Sequence, residues 1–139
     1  MKKLFFILLT YSFVGSGFSQ TSQSGPHKIV FQLTTADTVF HKALMKQLEN
    51  ILRISPDSKL EIVCHGPGLE MLMKEKCIVS PPIEALTKRG VEFVACEFSL
   101  KQKKVEKSQI LPSAGFVEAG IIEIVSKQEK GWSYIKSGY

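Results

Sequence analysis

Residues 90–100 read GVEFVACEFSL, an apolar stretch interrupted by Glu92 that reaches a cysteine and then passes into a lysine-rich segment. A short run rich in valine and phenylalanine, introduced by glycine, predicts a strand covered on both faces, here taken through Phe98. Two earlier stretches read the same way. In HKIVFQLTT, residues 27–35, Ile29, Val30, Phe31 and Leu33 are nearly continuous, and in KLEIVCHG, residues 59–66, Leu60, Ile62, Val63 and Cys64 lead into His65-Gly66-Pro67-Gly68.

Helical spacing separates these runs. Asp37 is suited to cap a helix in which Val39, Phe40, Ala43, Leu44, Leu48, Ile51 and Leu52 recur at threes and fours until Pro56-Asp57. Between the second and third strands, GLEMLMKEK predicts a short helix, and PIEALTKR a second one with Gly90 at its C′ position. Past the third strand, a polar helix is expected over Lys101–Ser108, then a connector with a short fourth strand in ILPSAGFV. Val117, Ile121, Ile124 and Val125 mark an amphipathic helix closed by Gly131, and WSYIKS, residues 132–137, makes a fifth strand.

Strands alternating with helices imply parallel pairing through right-handed crossovers. The expected fold is therefore α/β: a three-layer α/β/α sandwich on a five-stranded, mainly parallel sheet, flavodoxin-like. In the usual order for such sheets the first strand lies between the second and third.

The chain has 139 residues, 44% hydrophobic and 22% charged, which suits one globular domain. Its start has a different character. Lys2 and Lys3 precede LFFILLTYSFVG and the mostly small-residue stretch Ser16-Gly17-Phe18-Ser19, the pattern of a secretory signal peptide cut after Ser19. The apolar run is about 12 residues, whereas a membrane-spanning helix needs about 20. Residues 1–19 are thus expected to be a leader, 20–26 a flexible linker and 27–139 the domain, with no membrane attachment after cleavage and export across the inner membrane into a bacterial periplasm.

Two of the 18 basic residues are Lys2 and Lys3; the rest, against 13 acidic ones, leave a net charge of about +3. The run Lys101, Lys103, Lys104, Lys107 has no interleaved aromatic residues to stack on bases, so it reads as a solvated helix face and nucleic acid is not an expected partner. His65-Gly66-Pro67-Gly68 matches neither nucleotide-binding glycine pattern. Met71 and Met73 are two apart on a helix and cannot share one metal ion with Cys64 and His65. No metal and no cofactor are expected, and no Cys-x-x-Cys or Ser-His-Asp arrangement is present. His27 and His41 read as solvent-facing.

In open parallel sheets ligands bind beyond the carboxyl ends of the strands. Cys64-His65-Gly66 closes the second strand and Cys96-Glu97 the third, so both motifs fall at that edge. Helix amides, with Lys101 in reach, would stabilise a Cys96 thiolate, and His65 would add positive charge or a hydrogen bond. The same position also suits a buried small hydrophobe. Cys64 reads as inward packing, and Cys77 as a loop or helix-end residue open to pairing between chains. With the first strand between them, Cys64 and Cys96 would stand roughly 9–10 Å apart, beyond disulfide reach.

Three segments together resemble the DsrE/DsrF-like (YchN-like) family: EIVCHGPGLEML, RGVEFVACEFSLKQ and LPSAGFVEAGIIEIVSKQEKGWSYIKSG. The resemblance covers nearly all of the chain after the leader. It implies a sulfur relay role in which Cys96 is the catalytic, persulfide-carrying thiol. The surrounding binding positions are His65, Gly66, Gly68, Glu97 and the small pair Ala119-Gly120. It also implies sulfur donor and acceptor proteins or small sulfane-sulfur compounds as partners, and a homo-oligomer, a trimer or hexamer. Where relatives often carry an amide or threonine after the cysteine, this chain has Glu97-Phe98-Ser99, and a carboxylate there would raise the thiol pKa unless it points away. A non-catalytic small-ligand or protein-binding module on the same fold is the alternative.

Overall fold

The computed structural model describes residues 25–138. The leader and most of the linker lie outside the described residues. The chain forms strands β1 (Lys28–Leu33), β2 (Lys59–Cys64), β3 (Glu92–Cys96), β4 (Gly115–Val117) and β5 (Ser133–Ser137). The helices are α1 (Thr38–Ile54), α2 (Ser80–Lys88), α3 (Glu97–Lys103) and α4 (Gly120–Glu129), with 3-10 helices at Gly66–Leu72 and Lys107–Gln109. Among the described residues no helix is long and apolar enough to cross a membrane.

All five strands are parallel, in the order β4-β3-β2-β1-β5. The α/β class and the five-stranded parallel sheet are as expected, but the expected strand order is not: β2 pairs with β3, and β1 lies between β2 and β5. The connections from β1 through β4 all step the same way across the sheet. Right-handed crossovers then put α1, α2 and α3 on one face, and the return from β4 to β5 puts α4 on the other.

The two faces differ in depth of burial. On the α1/α2 face, Phe31, Leu44, Leu48, Leu60, Ile62 and Phe93 belong to a large apolar core that also holds Cys64 and Leu100. The α4 face is thinner, with Val30, Val63, Val94 and Ile124 packed by Val117 and Trp132. Of the apolar residues expected to bury the last helix, Ile124 does so. Ile121 and Val125 are exposed, beside exposed Ile122, and Val117 is in β4. One helix crossing a five-stranded sheet leaves its outer side uncovered.

Several local expectations are met and others shift. Asp37 caps α1, its carboxylate accepting from the Val39 amide at 2.8 Å. The helix expected at GLEMLMKEK is instead the 3-10 helix Gly66–Leu72, with Pro67 in its first turn. β3 ends at Cys96 rather than Phe98, and α3 starts at once, ending at Lys104 in the left-handed conformation. His41 is buried rather than solvent-facing, its Nε2 2.8 Å from the Thr35 carbonyl oxygen.

Candidate functional site

Cys96 is the last residue of β3 and the N-cap of α3. Strand pairing and the pleat fix where its sulfur goes. Cys64 is paired with Ala95, and both belong to the α1/α2 core. Successive side chains of a strand alternate between faces, so Cys96 points to the α4 face. All three cysteines are free. Separation by an intervening strand, the expected obstacle to a Cys64–Cys96 bridge, is therefore not the reason: β2 and β3 are neighbours, and the pleat sends the two thiols to opposite faces.

On the α4 face the sulfur meets the Ala119-Gly120 pair. Ala119 caps α4, and the Gly120 amide donates to Cys96 Sγ at 3.2 Å. Gly120 fits here because it lacks a side chain. A Cβ at this position would stand 3.1 Å from Val63 Cγ1 and 3.3 Å from the Cβ atoms of both Cys96 and His65. The glycine is thus wedged between the two residues singled out at the strand ends.

The three thiols are tuned in opposite directions. Burial pushes Cys64 far above the ordinary thiol range, and burial likewise raises Cys77. Burial also pushes Cys96 upward. It is outweighed there by the Ser99 hydroxyl and the amides of Gly120, Ser99 and Phe98, which leave the Cys96 thiol below its ordinary value. Lys101, expected within reach of the thiol, has its ammonium 5.7 Å from the centre of the Phe98 ring. Glu97 does not oppose it, because its carboxylate is held by Lys107 Nζ at 2.6 Å. Lys107 also sits over the Phe116 ring, at 4.8 Å, so part of the lysine run is engaged on the protein's own surface.

His65 follows β2 and caps the 3-10 helix. Burial lowers its pKa, so the ring brings a neutral hydrogen-bonding group rather than a cation. Its Nε2 lies 2.8 Å from Gln32 Nε2, while the Tyr134 hydroxyl donates to Gln32 Oε1. In this arrangement the amide donates to Nε2 and the imidazole proton resides on Nδ1. The chain Tyr134–Gln32–His65 runs from β5 across β1 to β2, starting where the strand order reverses.

Gly66 and Gly68 hold the turn after His65. Gly66 has φ +54°, and its amide donates to Ser99 Oγ at 2.9 Å. Gly68 lies against the Leu33 carbonyl at the end of β1. A cavity of about 330 Å³ on the α4 side is lined by Phe98, Val117, Glu118, Ala119, Ile122 and Glu123, without Cys96. The structure thus gathers Cys96, His65, Gly66, Gly68, Ala119 and Gly120 at one edge and turns Glu97 toward Lys107. Sequence reasoning missed Gln32, Ser99 and Tyr134. Gln32 carried a signal, being the single polar residue inside the run IVFQL.

The sequence profile of the DsrE/DsrF-like family matches residues 27–137. Among solved structures, the chain is similar to MTH1491 of Methanobacterium thermoautotrophicum, described as a protein of unknown function. The match is at 25% identity and TM-score 0.75 over 79% of this chain and 98% of that one. It also shares its fold with BT1422 of Bacteroides thetaiotaomicron, a conserved protein of unknown function, at 19% identity and TM-score 0.53 over 78% and 93% of the two chains. No curated protein matches. The profile spans the whole sheet, from β1 to the end of β5, and the protein is therefore a member of the DsrE/DsrF-like family, a family associated with sulfur relay.

Proposed function

We propose that the protein is an exported sulfur carrier that takes a sulfane sulfur onto Cys96 and passes it to an acceptor thiol. The observation that carries this reading is the Gly120 amide on Sγ at 3.2 Å, in a site that lowers one thiol while burial raises the other two. Loading is an exchange at sulfur. The Cys96 thiolate attacks the outer sulfur of a donor R–S–SH, the Sγ–S bond forms, the donor S–S bond breaks, and R–S⁻ leaves. Cys96 then holds Cys–S–SH, and no net electrons are transferred. Discharge repeats the step in reverse: an acceptor thiolate takes the outer sulfur and Cys96 departs as thiolate, which a low thiol pKa favours. No metal is required by either step.

Intact-mass measurement of residues 20–139 after incubation with polysulfide tests the reading. Wild type and Cys64→Ser should gain one sulfur, and Cys96→Ser none. Equal labelling of Cys96→Ser would overturn it. One observation favours the alternative, a non-catalytic binding module: Cys96 is only 5% exposed, beneath the start of α4. Absence of any adduct on wild type with every donor decides for that module.

Within the same reading, Ile121, Ile122 and Val125 on the outer side of α4 form the contact face of a homo-oligomer, a trimer or hexamer. Light scattering should give three or six times the monomer mass; a monomer at micromolar concentration would refute it. Export places the carrier in a bacterial periplasm, supported by the leader pattern of residues 1–19. Protein recovered from producing cells should begin at Gln20, and an intact Met1 would count against export.

A further inference from the structure

The register and pleat that send Cys96 to the α4 face bring His65 there too. Cys64 is paired with Ala95, so the next residue of each strand, His65 and Cys96, stand side by side on backbones about 4.8 Å apart. The backbone at His65 is still extended, at φ -142° and ψ 166°, so its side chain leaves on the face opposite to that of Cys64. A Cβ at Gly120 would lie 3.3 Å from the Cβ atoms of both residues, which places the two on the same side of the sheet.

Three groups flank the sulfur from different directions. The Gly120 amide donates to Sγ from α4 at 3.2 Å, and the thiol faces the carbonyl oxygen of Glu118, just past β4, at 4.0 Å. Because β3 lies between β4 and β2, Glu118 and His65 stand on opposite sides of Cys96. A second sulfur on Cys96 would extend about 2 Å beyond Sγ. Once ionised, it is repelled by the negative end of the Glu118 carbonyl dipole and swings away from β4, toward His65.

The imidazole is set to receive it. Its Nε2 accepts from Gln32 Nε2 at 2.8 Å, and the Tyr134 hydroxyl, bonded to Gln32 Oε1, turns the amide so that its nitrogen meets the ring. The proton of the neutral ring is then on Nδ1. The two ring nitrogens point nearly opposite ways, and Gln32 is on β1, across β2 from Cys96, so Nδ1 is directed away from β1. We propose that His65 holds the outer sulfur of loaded Cys96: its Nδ1–H donates to Cys–S–S⁻, and Gln32, fixed by Tyr134, is the positioning residue that keeps the proton on that nitrogen. The proposal rests on the sulfur-carrier reading. In loading, the Sγ–S bond forms as the donor S–S bond breaks, R–S⁻ leaves, and the proton of Cys–S–SH passes to water; His65 neither gains nor loses a proton.

The test is the pH dependence of Cys96 alkylation by iodoacetamide, before and after loading with polysulfide. Mass spectrometry site by site separates the alkylated thiol from the alkylated persulfide and keeps Cys64 and Cys77 out of the comparison. The quantity read is the difference between the thiol and persulfide midpoints. His65→Leu should raise the persulfide midpoint by about one pH unit relative to the thiol midpoint, the effect of losing one hydrogen bond to a charged acceptor. His65→Asn, whose amide nitrogen can stand where Nδ1 does, should keep the wild-type difference. Gln32→Leu should move the difference in the same direction as His65→Leu, and it carries the comparison if that variant does not fold. Nitrogen-15 spectra of the His65 ring should show the proton on Nδ1 in wild type and its shift toward Nε2 in Gln32→Leu. A general disturbance of the site would move both midpoints together, so an unchanged difference in His65→Leu and Gln32→Leu overturns the proposal, as does a wild-type ring protonated on Nε2. Wild type that takes up no sulfur refutes the carrier reading and this proposal with it, whereas wild type that loads and shows the same difference as the variants refutes only the role of His65.

Discussion

Gly68→Ala is expected to lower the free energy of unfolding by about 3 kcal/mol, the upper part of the range for overpacking a tight site. A Cβ at residue 68 would lie 2.1 Å from the Leu33 carbonyl oxygen, 2.6 Å from its carbon and 3.0 Å from the Thr34 nitrogen. These are backbone atoms at the end of β1, between β2 and β5, and they cannot rotate aside as a flexible side chain would. The Leu33 carbonyl also accepts the His65 amide at 3.2 Å, so relief of the clash pulls on the start of the turn itself. Urea denaturation should show a lower midpoint with an unchanged slope. Gly66→Ala is the informative comparison, because space is open there and only φ +54° opposes a side chain. Its cost should be about 1 kcal/mol. If Gly68→Ala costs no more than Gly66→Ala, the close approach of the turn to β1 is wrong.

The layers of the fold were legible because apolar runs such as IVF and EIVC alternate with three- and four-spaced helical patterns. The strand order was not. Every strand from β1 to β4 is apolar on the α1/α2 side, and nothing in that pattern says which is next to which; the order depends on how each crossover packs. The consequence reached the site. An expected gap between β2 and β3 accounted for the unpaired Cys64 and Cys96, whereas the operative cause is the pairing of Cys64 with Ala95, which leaves Cys96 on the opposite face.

The start of α3 was missed for a local reason. Phe98 extends the strand-like pattern VEFVACEF, but the bond from Glu97 to Lys107, the burial of Ser99 and Leu100, and the Phe98 amide on the Glu118 carbonyl at 3.2 Å all belong to a helix beginning at residue 97. His41 was misjudged because its partner, the Thr35 carbonyl, lies in the loop before the helix, where sequence spacing gives no warning. Cys96, His65 and Gly120 could be found from their places at element ends. Gln32 stands out as a polar residue in IVFQL, but its partner Tyr134 lies 102 residues away and Ser99 meets Gly66 across 33, so these pairings become visible only once the sheet is assembled.

Lys127→Ala should destabilise the protein by about 3–5 kcal/mol, the range for removing one partner of a buried ion pair. Glu61 and Glu92 are paired across β2 and β3, two like charges side by side beneath α4. Lys127 bonds the Glu61 carboxylate, with Glu92 at 3.9 Å and Glu123 at 3.6 Å, and its ammonium lies 4.4 Å from the centre of the Trp132 ring. Glu61 is 1% exposed, and alanine at 127 would leave it charged without its cation. Burial raises the Glu61 pKa despite Lys127, and hydrogen bonding and charge from Glu61 raise that of Lys127 against its own burial. The folded state therefore binds a proton at Glu61 more tightly than the unfolded chain. Glu61's contribution is most favourable below about pH 4.5 and diminishes as pH rises through its raised folded pKa. Lys127's contribution is fully present below about pH 10.5 and is lost as pH rises beyond it. In Lys127→Ala the Glu61 slope should steepen, because the cation that partly offset desolvation is gone. Denaturation between pH 4 and pH 8 would show this as a deficit that grows with pH, and adding Glu61→Gln should remove most of the pH dependence. A deficit independent of pH would mean that Lys127 acts through its packing on Trp132 rather than through charge. The change should also reach the thiol: α4 carries both Lys127 and the Gly120 amide, so a loosened helix withdraws a donor from Cys96 and slows its alkylation.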